Sequence, residues 1–148
     1  MIKHSGTAVW SGGLKDGSGK ISTESGALDS VQYGFHTRFE QGIGTNPEEL
    51  IGAAHAACFT MALAAQLGEA GMTAKSLMTT ATVTLEKVDG GYHISEVHLN
   101  LEAVIPGANE KAFEEAALKA KLGCPVSKLL NAHITLDARL ETDALRAA

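Results

Sequence analysis

Alternation of apolar and polar residues with a period of two recurs along the chain and predicts strands towards both of its ends. Ala81, Val83 and Leu85 alternate with Thr80, Thr82 and Thr84, while Val97, Leu99, Leu101 and Ala103 alternate with Glu96, His98, Asn100 and Glu102. These read as two half-buried strands, joined through Asp89-Gly90-Gly91 as a hairpin. Ile134, Leu136, Ala138 and Leu140 repeat the pattern against Thr135, Asp137, Arg139 and Glu141, giving a last strand. Nearer the start, Thr7-Ala8-Val9-Trp10 predicts a strand, and the glycine-rich turn from Gly12 to Gly19 leads into a second from Lys20 to Glu24, a further hairpin. Val31 to Phe39 mixes aromatic residues with Thr37 and Arg38 and reads as a third extended segment.

The pattern changes after the polar loop from Glu40 to Thr45. Thr45 or Asn46 caps a helix, Pro47 suits its first turn, and Glu48 and Glu49 complement its dipole. The helix is expected to run to about Ala70, with Gly71 ending it. Its alanines leave little bulk on any side, so neighbouring backbones can approach closely. Ile51 to Leu67 is apolar enough to raise the question of a membrane, but the run is short, rich in alanine and interrupted by His55, which favours a buried helix. Pro106-Gly107 breaks the second long strand, Asn109 caps a helix over Glu110 to Leu122, and Cys124-Pro125 begins a short one through Leu130. Helices do not alternate with single strands as parallel βαβ units would, so the expected class is α+β with antiparallel sheet. One domain over residues 1–148 is expected, with 142–148 as a flexible tail.

At 148 residues and 45% hydrophobic content the chain can bury one core. A formal net charge of −5, from 12 basic and 17 acidic residues, argues against nucleic acid or an anionic membrane as partner and points to a small molecule. Two cysteines do not make a secreted disulfide framework, and Met1 to Gly6 lacks the pattern of a signal peptide, so a cytoplasmic protein with no transmembrane segment is expected. The histidines are scattered and match no zinc motif, so no metal is expected.

The two cysteines lie in different settings, which suggests redox work. Cys58 stands in the middle of an apolar helix, where a thiol is inert unless positive charge is brought to it; Cys124 stands at a helix start, an easier place for a thiolate. Acid–base reasoning alone leaves open which of them attacks. Of the arginines Arg38, Arg139 and Arg146, the first is the best placed to activate a thiol. Lowering a cysteine pKa from about 8.5 to about 6 takes on the order of 3 kcal/mol, which a desolvated guanidinium held by a carboxylate can supply. Either Glu48 or Glu49 could hold it. On a straight helix Glu48 is about 15 Å along the axis and about 80° around it from Cys58, so the spacing favours a dimer with sites at its interface. His55, on the same helical face as Cys58, raises the alternative of a Cys-His acyl-transfer pair, although no third group to orient the imidazole is evident.

Asn46-Pro47-Glu48-Glu49-Leu50, Ala53-Ala54-His55-Ala56-Ala57-Cys58-Phe59 and, far downstream, Gly123-Cys124-Pro125-Val126-Ser127 together resemble the OsmC/Ohr family, and its OsmC branch most closely. Tyr33-Gly34-Phe35, Thr37-Arg38-Phe39-Glu40 and Ile134 to Ala138 extend the likeness over nearly the whole chain. The resemblance implies an intertwined homodimer, with two antiparallel sheets wrapped around central helices. It implies a thiol-dependent peroxidase that reduces organic hydroperoxides, and hydrogen peroxide less well, in oxidative or osmotic stress, with an external dithiol as reductant and no cofactor. Carried over, it makes Cys58 the peroxidatic thiolate, Cys124 the resolving thiol, Arg38 the activating cation and Glu48 its holder. Phe59, Met61 and Leu63 are expected to bind the carbon tail of the substrate. The alternative is a non-catalytic dimer that binds an apolar small molecule and uses its cysteines only for packing.

Overall fold

The computed structural model describes residues 1–143; residues 144–148, Arg146 and most of the expected tail among them, lie outside the described residues. The chain forms two compact units, Met1–Leu50 and the remainder from Ile51.

In the first unit, strands β1 (Gly6–Ser11), β2 (Ser18–Thr23) and β3 (Val31–Tyr33) make an antiparallel sheet in that order. Gly19 allows it to close: a Cβ there would lie 2.3 Å from the Tyr33 ring, which packs on Trp10 with centroids 5.5 Å apart. The sheet is thinly covered, and every residue of β1 is exposed. The expected extended segment over Val31 to Phe39 is corrected here. Only its first residues pair, and Phe35–Phe39 forms a short helix, α1, that carries Arg38. Two local interactions outweigh the β-favouring composition. Thr37 Oγ1 accepts the Gly34 N–H at 2.9 Å and donates to the Gly34 carbonyl at 3.0 Å, and Phe35 packs on Phe39 one turn later with centroids 5.0 Å apart.

Helix α2 (Pro47–Glu69) opens in the first unit and continues through the second. Gly71, at φ 75°, turns the chain away after it, as its position predicts. The second unit then adds β4 (Ser76–Val88), β5 (Gly91–Val104), α3 (Glu110–Gly123), α4 (Pro125–Leu129) and β6 (His133–Glu141). β4 and β5 form the expected hairpin, turning through Gly90 at φ 94°, with one register shift at Thr84/Leu85.

β6 joins β5 in parallel, correcting the expectation of a purely antiparallel sheet. The physical reason is the crossover: α3 and α4 return the chain to the end of the sheet where β5 began, which a tight hairpin cannot do. The core lies wholly within this unit. Phe59, Leu63 and Leu67 of α2 pack with Val97, Leu99, Leu101 and Ala103 of β5, and with Phe113, Ala116, Ala117 and Ala120 of α3. The alternation read along β5 therefore selects its buried face. On α2 the buried positions fall four apart, and that row extends backwards to His55, which is 0% exposed. Small residues let α2 approach the sheet: a Cβ on Gly52 would stand 3.0 Å from the Ala81 carbonyl.

Candidate active site

In the first unit Arg38 and Glu48 form the pair anticipated for them. Arg38 Nε lies 3.1 and 3.3 Å from the two carboxylate oxygens, and Nη2 lies 2.8 Å from Oε1. This fork fixes the plane of the guanidinium, which a lysine could not reproduce. Glu49, the other candidate, is occupied elsewhere, accepting from Thr45 Oγ1 at 3.2 Å. Asn46 ties the arrangement together. Its Oδ1 accepts the Glu49 N–H at 2.8 Å and so caps α2, and its Nδ2 donates to the Thr37 carbonyl of α1 at 3.0 Å. Glu48 is nearly buried, whereas Arg38 keeps 38% of its side chain exposed and lies against the Phe39 ring. Beside it opens a mainly apolar cleft of about 180 Å³, lined by Trp10, Leu14, Tyr33, Phe35, Arg38 and Phe39.

In the second unit the two thiols are free, and each is close enough to act on the other's proton affinity. Cys58 is half-buried on α2. Cys124 is fully buried at the N-cap of α4, where its Sγ accepts the Ser127 N–H at 3.4 Å. Burial pushes the Cys58 thiol up, the neighbouring Cys124 adds to that, and the Val126 N–H only partly offsets it. Burial also pushes Cys124 up, but donors outweigh it: the Cys58 thiol, the N–H and hydroxyl of Ser127 and the Val126 N–H hold it below the ordinary thiol range. Among the described residues acting on Cys58 none is cationic, so this unit offers its thiol no charge partner.

Of the residues expected to bind a substrate tail, Phe59 and Leu63 are wholly buried in the core row of α2, and Met61 points outward, 76% exposed. His55 does not pair with Cys58. Its Nε2 lies 2.7 Å from Ser127 Oγ, and Nδ1 has no partner. Ser127 is the site residue that sequence reasoning passed over. Its signal is present, because a residue three positions after an N-cap returns its backbone N–H to the capping side chain.

A sheet-and-helix chain with a thiol pair brought together from a central helix and a distant helix start defines a class. The family model described as OsmC-like protein matches residues 40–139, and the chain belongs to the OsmC family. Peroxiredoxin OsmC of Escherichia coli (strain K12) is 55% identical to it over 141 residues, covering 95% of this chain and 99% of that protein. Among solved structures, the organic hydroperoxide resistance protein OhrB of Bacillus subtilis superposes with a TM-score of 0.68 at 25% identity, covering 91% of this chain and 98% of that one. An OsmC-like protein of unknown function from Vibrio cholerae gives a TM-score of 0.74 at 16% identity, covering 94% of this chain and 100% of that one, a likeness of fold.

Proposed function

We propose that this protein is a thiol-dependent peroxidase that reduces organic hydroperoxides through Cys58 and Cys124. The observation that carries the reading is that two reduced cysteines from distant parts of the chain lie close enough for each to act on the other's thiol. The Cys58 thiolate attacks one peroxide oxygen, the O–O bond breaks, and the alkoxide leaves as an alcohol after taking a proton. Cys124 then displaces the oxygen of the Cys58 sulfenic acid as water, leaving a disulfide that an external dithiol reopens. Arg38, from the same subunit or a second one, supplies the positive charge that Cys58 lacks, and Glu48 holds that arginine in orientation. The apolar cleft beside Arg38 is the surface we assign to the carbon tail.

The working unit in this reading is a homodimer. α2 is long and apolar enough to cross a membrane by length and composition, yet only 28% of that stretch is buried within the chain. A second copy covering its open faces explains both facts for a cytoplasmic protein. The test is to add one equivalent of cumene hydroperoxide to the reduced protein. Two thiols should disappear and the mass should fall by two hydrogens, with an equivalent of alcohol formed; unchanged thiols would instead favour a non-catalytic binder of apolar molecules.

A further inference from the structure

The second unit fully buries a histidine that this peroxidase chemistry leaves without a task. His55 is 0% exposed, and its Nε2 lies 2.7 Å from Ser127 Oγ. Ser127 in turn donates its backbone N–H to Cys124 Sγ at 3.4 Å, and its hydroxyl is among the groups that favour the Cys124 thiolate. A hydroxyl has one proton to give. If Ser127 spends it on the Cys124 sulfur, its oxygen must accept from His55, so the imidazole proton resides on Nε2 and Nδ1 is a bare lone pair. The buried Nδ1 has no partner, which agrees with that direction. An acceptor left unpaired is tolerated more readily than a buried N–H with nowhere to point.

We propose that His55 and Ser127 form a one-way donor relay, from His55 Nε2–H to Ser127 Oγ–H to Cys124 Sγ, which orients Cys124 as the resolving thiolate facing Cys58. The inference rests on the peroxidase reading for its purpose, and on this unit's geometry for its existence. Both are positioning residues, since neither touches the peroxide. Burial holds the His55 pKa down and keeps the ring neutral, as a donor that keeps its lone pair must be. During resolution the Cys124 thiolate attacks the Cys58 sulfenic sulfur. The S–S bond forms, the S–O bond breaks, and the oxygen departs as hydroxide, which takes a proton from solvent and becomes water. The relay turns the sulfur lone pair towards that bond and stabilises the same thiolate when reductant later expels it from the disulfide.

Two readouts test this. In a Cys58→Ser protein, thiolate absorbance in the ultraviolet followed against pH reports ionisation of Cys124 alone. Ser127→Ala and His55→Leu should each move its midpoint up by about one pH unit, and Ser127→Thr and His55→Gln, which keep a donor, should recover most of the shift. With both cysteines present, Ser127→Ala should slow disulfide formation about tenfold without slowing peroxide consumption in the first turnover, so that dimedone traps more sulfenic acid. Unmoved midpoints in both the Ala and Leu variants, or a first step slowed as much as the second, would overturn the relay. A wild-type protein whose thiols ignore hydroperoxide, combined with a shifted midpoint in Ser127→Ala, would remove the peroxidase reading and leave the relay standing.

Discussion

In the first unit, Arg38 meets Glu48 through contacts of 2.8 to 3.3 Å while the arginine keeps 38% of its side chain in contact with solvent. In the second, Cys124 and His55 are fully buried, and every group that holds the sulfur is formally neutral. The guanidinium stays solvated while the bidentate fork fixes its orientation, and its carboxylate partner is the member kept nearly dry. Neutral donors, in contrast, select one thiol over another only where solvent is excluded, since water would offer both sulfurs equivalent bonds. Each unit thus builds the surroundings of its own group, a forked ion pair for Arg38 in the first and neutral donors for Cys124 in the second. Substitutions in the two regions should fail in different ways.

The largest effect is expected in the second region. Cys58→Ser should reduce turnover of cumene hydroperoxide to the uncatalysed background, a loss of several orders of magnitude, with the fold intact by circular dichroism. Cys124→Ser should eliminate the intramolecular disulfide and lower thiol consumption from two per peroxide to one, while a small external thiol sustains partial activity. Equal activity in Cys58→Ser would break the assignment of roles.

In the first region the failure is electrostatic. Arg38→Ala should slow the first step about a hundredfold, the equivalent of roughly 3 kcal/mol of thiolate stabilisation, measured as the second-order rate with hydroperoxide. Arg38→Lys should recover only part of it, because an ammonium cannot make the fork. Arg38→Ala should also cost about 1 to 3 kcal/mol of stability in urea, since it strands the nearly buried Glu48. Glu48→Gln should keep the fold, loosen the guanidinium and lower the rate by less. A rate for Arg38→Ala within twofold of wild type would sink the proposed role of this pair.

These regions also differed in how far the sequence could be read. The β4–β5 hairpin and the caps of α2 and α3 were legible because they depend on local rules: alternation, Gly after Asp, and Asn before a helix. The helix over Phe35–Phe39 was not, because aromatic and β-branched composition favours a strand and only the spacing of Phe35 from Phe39 and the Gly34 break speak against it. The parallel approach of β6 was hidden as well, since pairing direction depends on where the crossover returns the chain. Within the site, Arg38 and a carboxylate at the start of α2 could be anticipated from scarcity and helix chemistry; helix chemistry left Glu48 and Glu49 equivalent, the family resemblance favoured Glu48, and the geometry separates them, since Arg38 meets Glu48 and Thr45 occupies Glu49. Cys58, Cys124 and His55 were visible as chemical types. The link through Ser127 was not, because it depends on two elements far apart in sequence meeting in three dimensions.

A pH experiment separates charge from burial. Burial depresses the His55 pKa from its ordinary 6.5, so the unfolded chain binds the proton more tightly than the folded one. Stability from this source is complete above about pH 6.5 and is lost as pH falls below it, until the folded imidazole itself protonates. The midpoint of thermal unfolding should therefore decline between about pH 7.5 and about pH 5, and His55→Leu should flatten that decline relative to wild type. An identical slope in the two proteins would mean that the ring is not held neutral by its surroundings.

The smallest effects concern two asparagines with the same local duty. Asn109 caps α3 by accepting the Ala112 N–H at 2.9 Å, while Asn46 caps α2 and also donates to the Thr37 carbonyl, binding the segment that carries Arg38. Asn109→Ala should cost about 1 kcal/mol of stability and leave turnover untouched, as the loss of a cap alone would. Asn46→Ala should lose a similar cap energy and, in addition, lower kcat/KM a few-fold, because α1 is released from the start of α2 and the Arg38 fork loses a constraint. Asn46→Asp separates the two duties: a carboxylate still caps the helix but has no N–H to give Thr37. Stability should then return towards wild type while the rate stays low. If Asn46→Asp restores both, the tether contributes nothing to the arginine, and the first region relies on the Arg38–Glu48 fork alone.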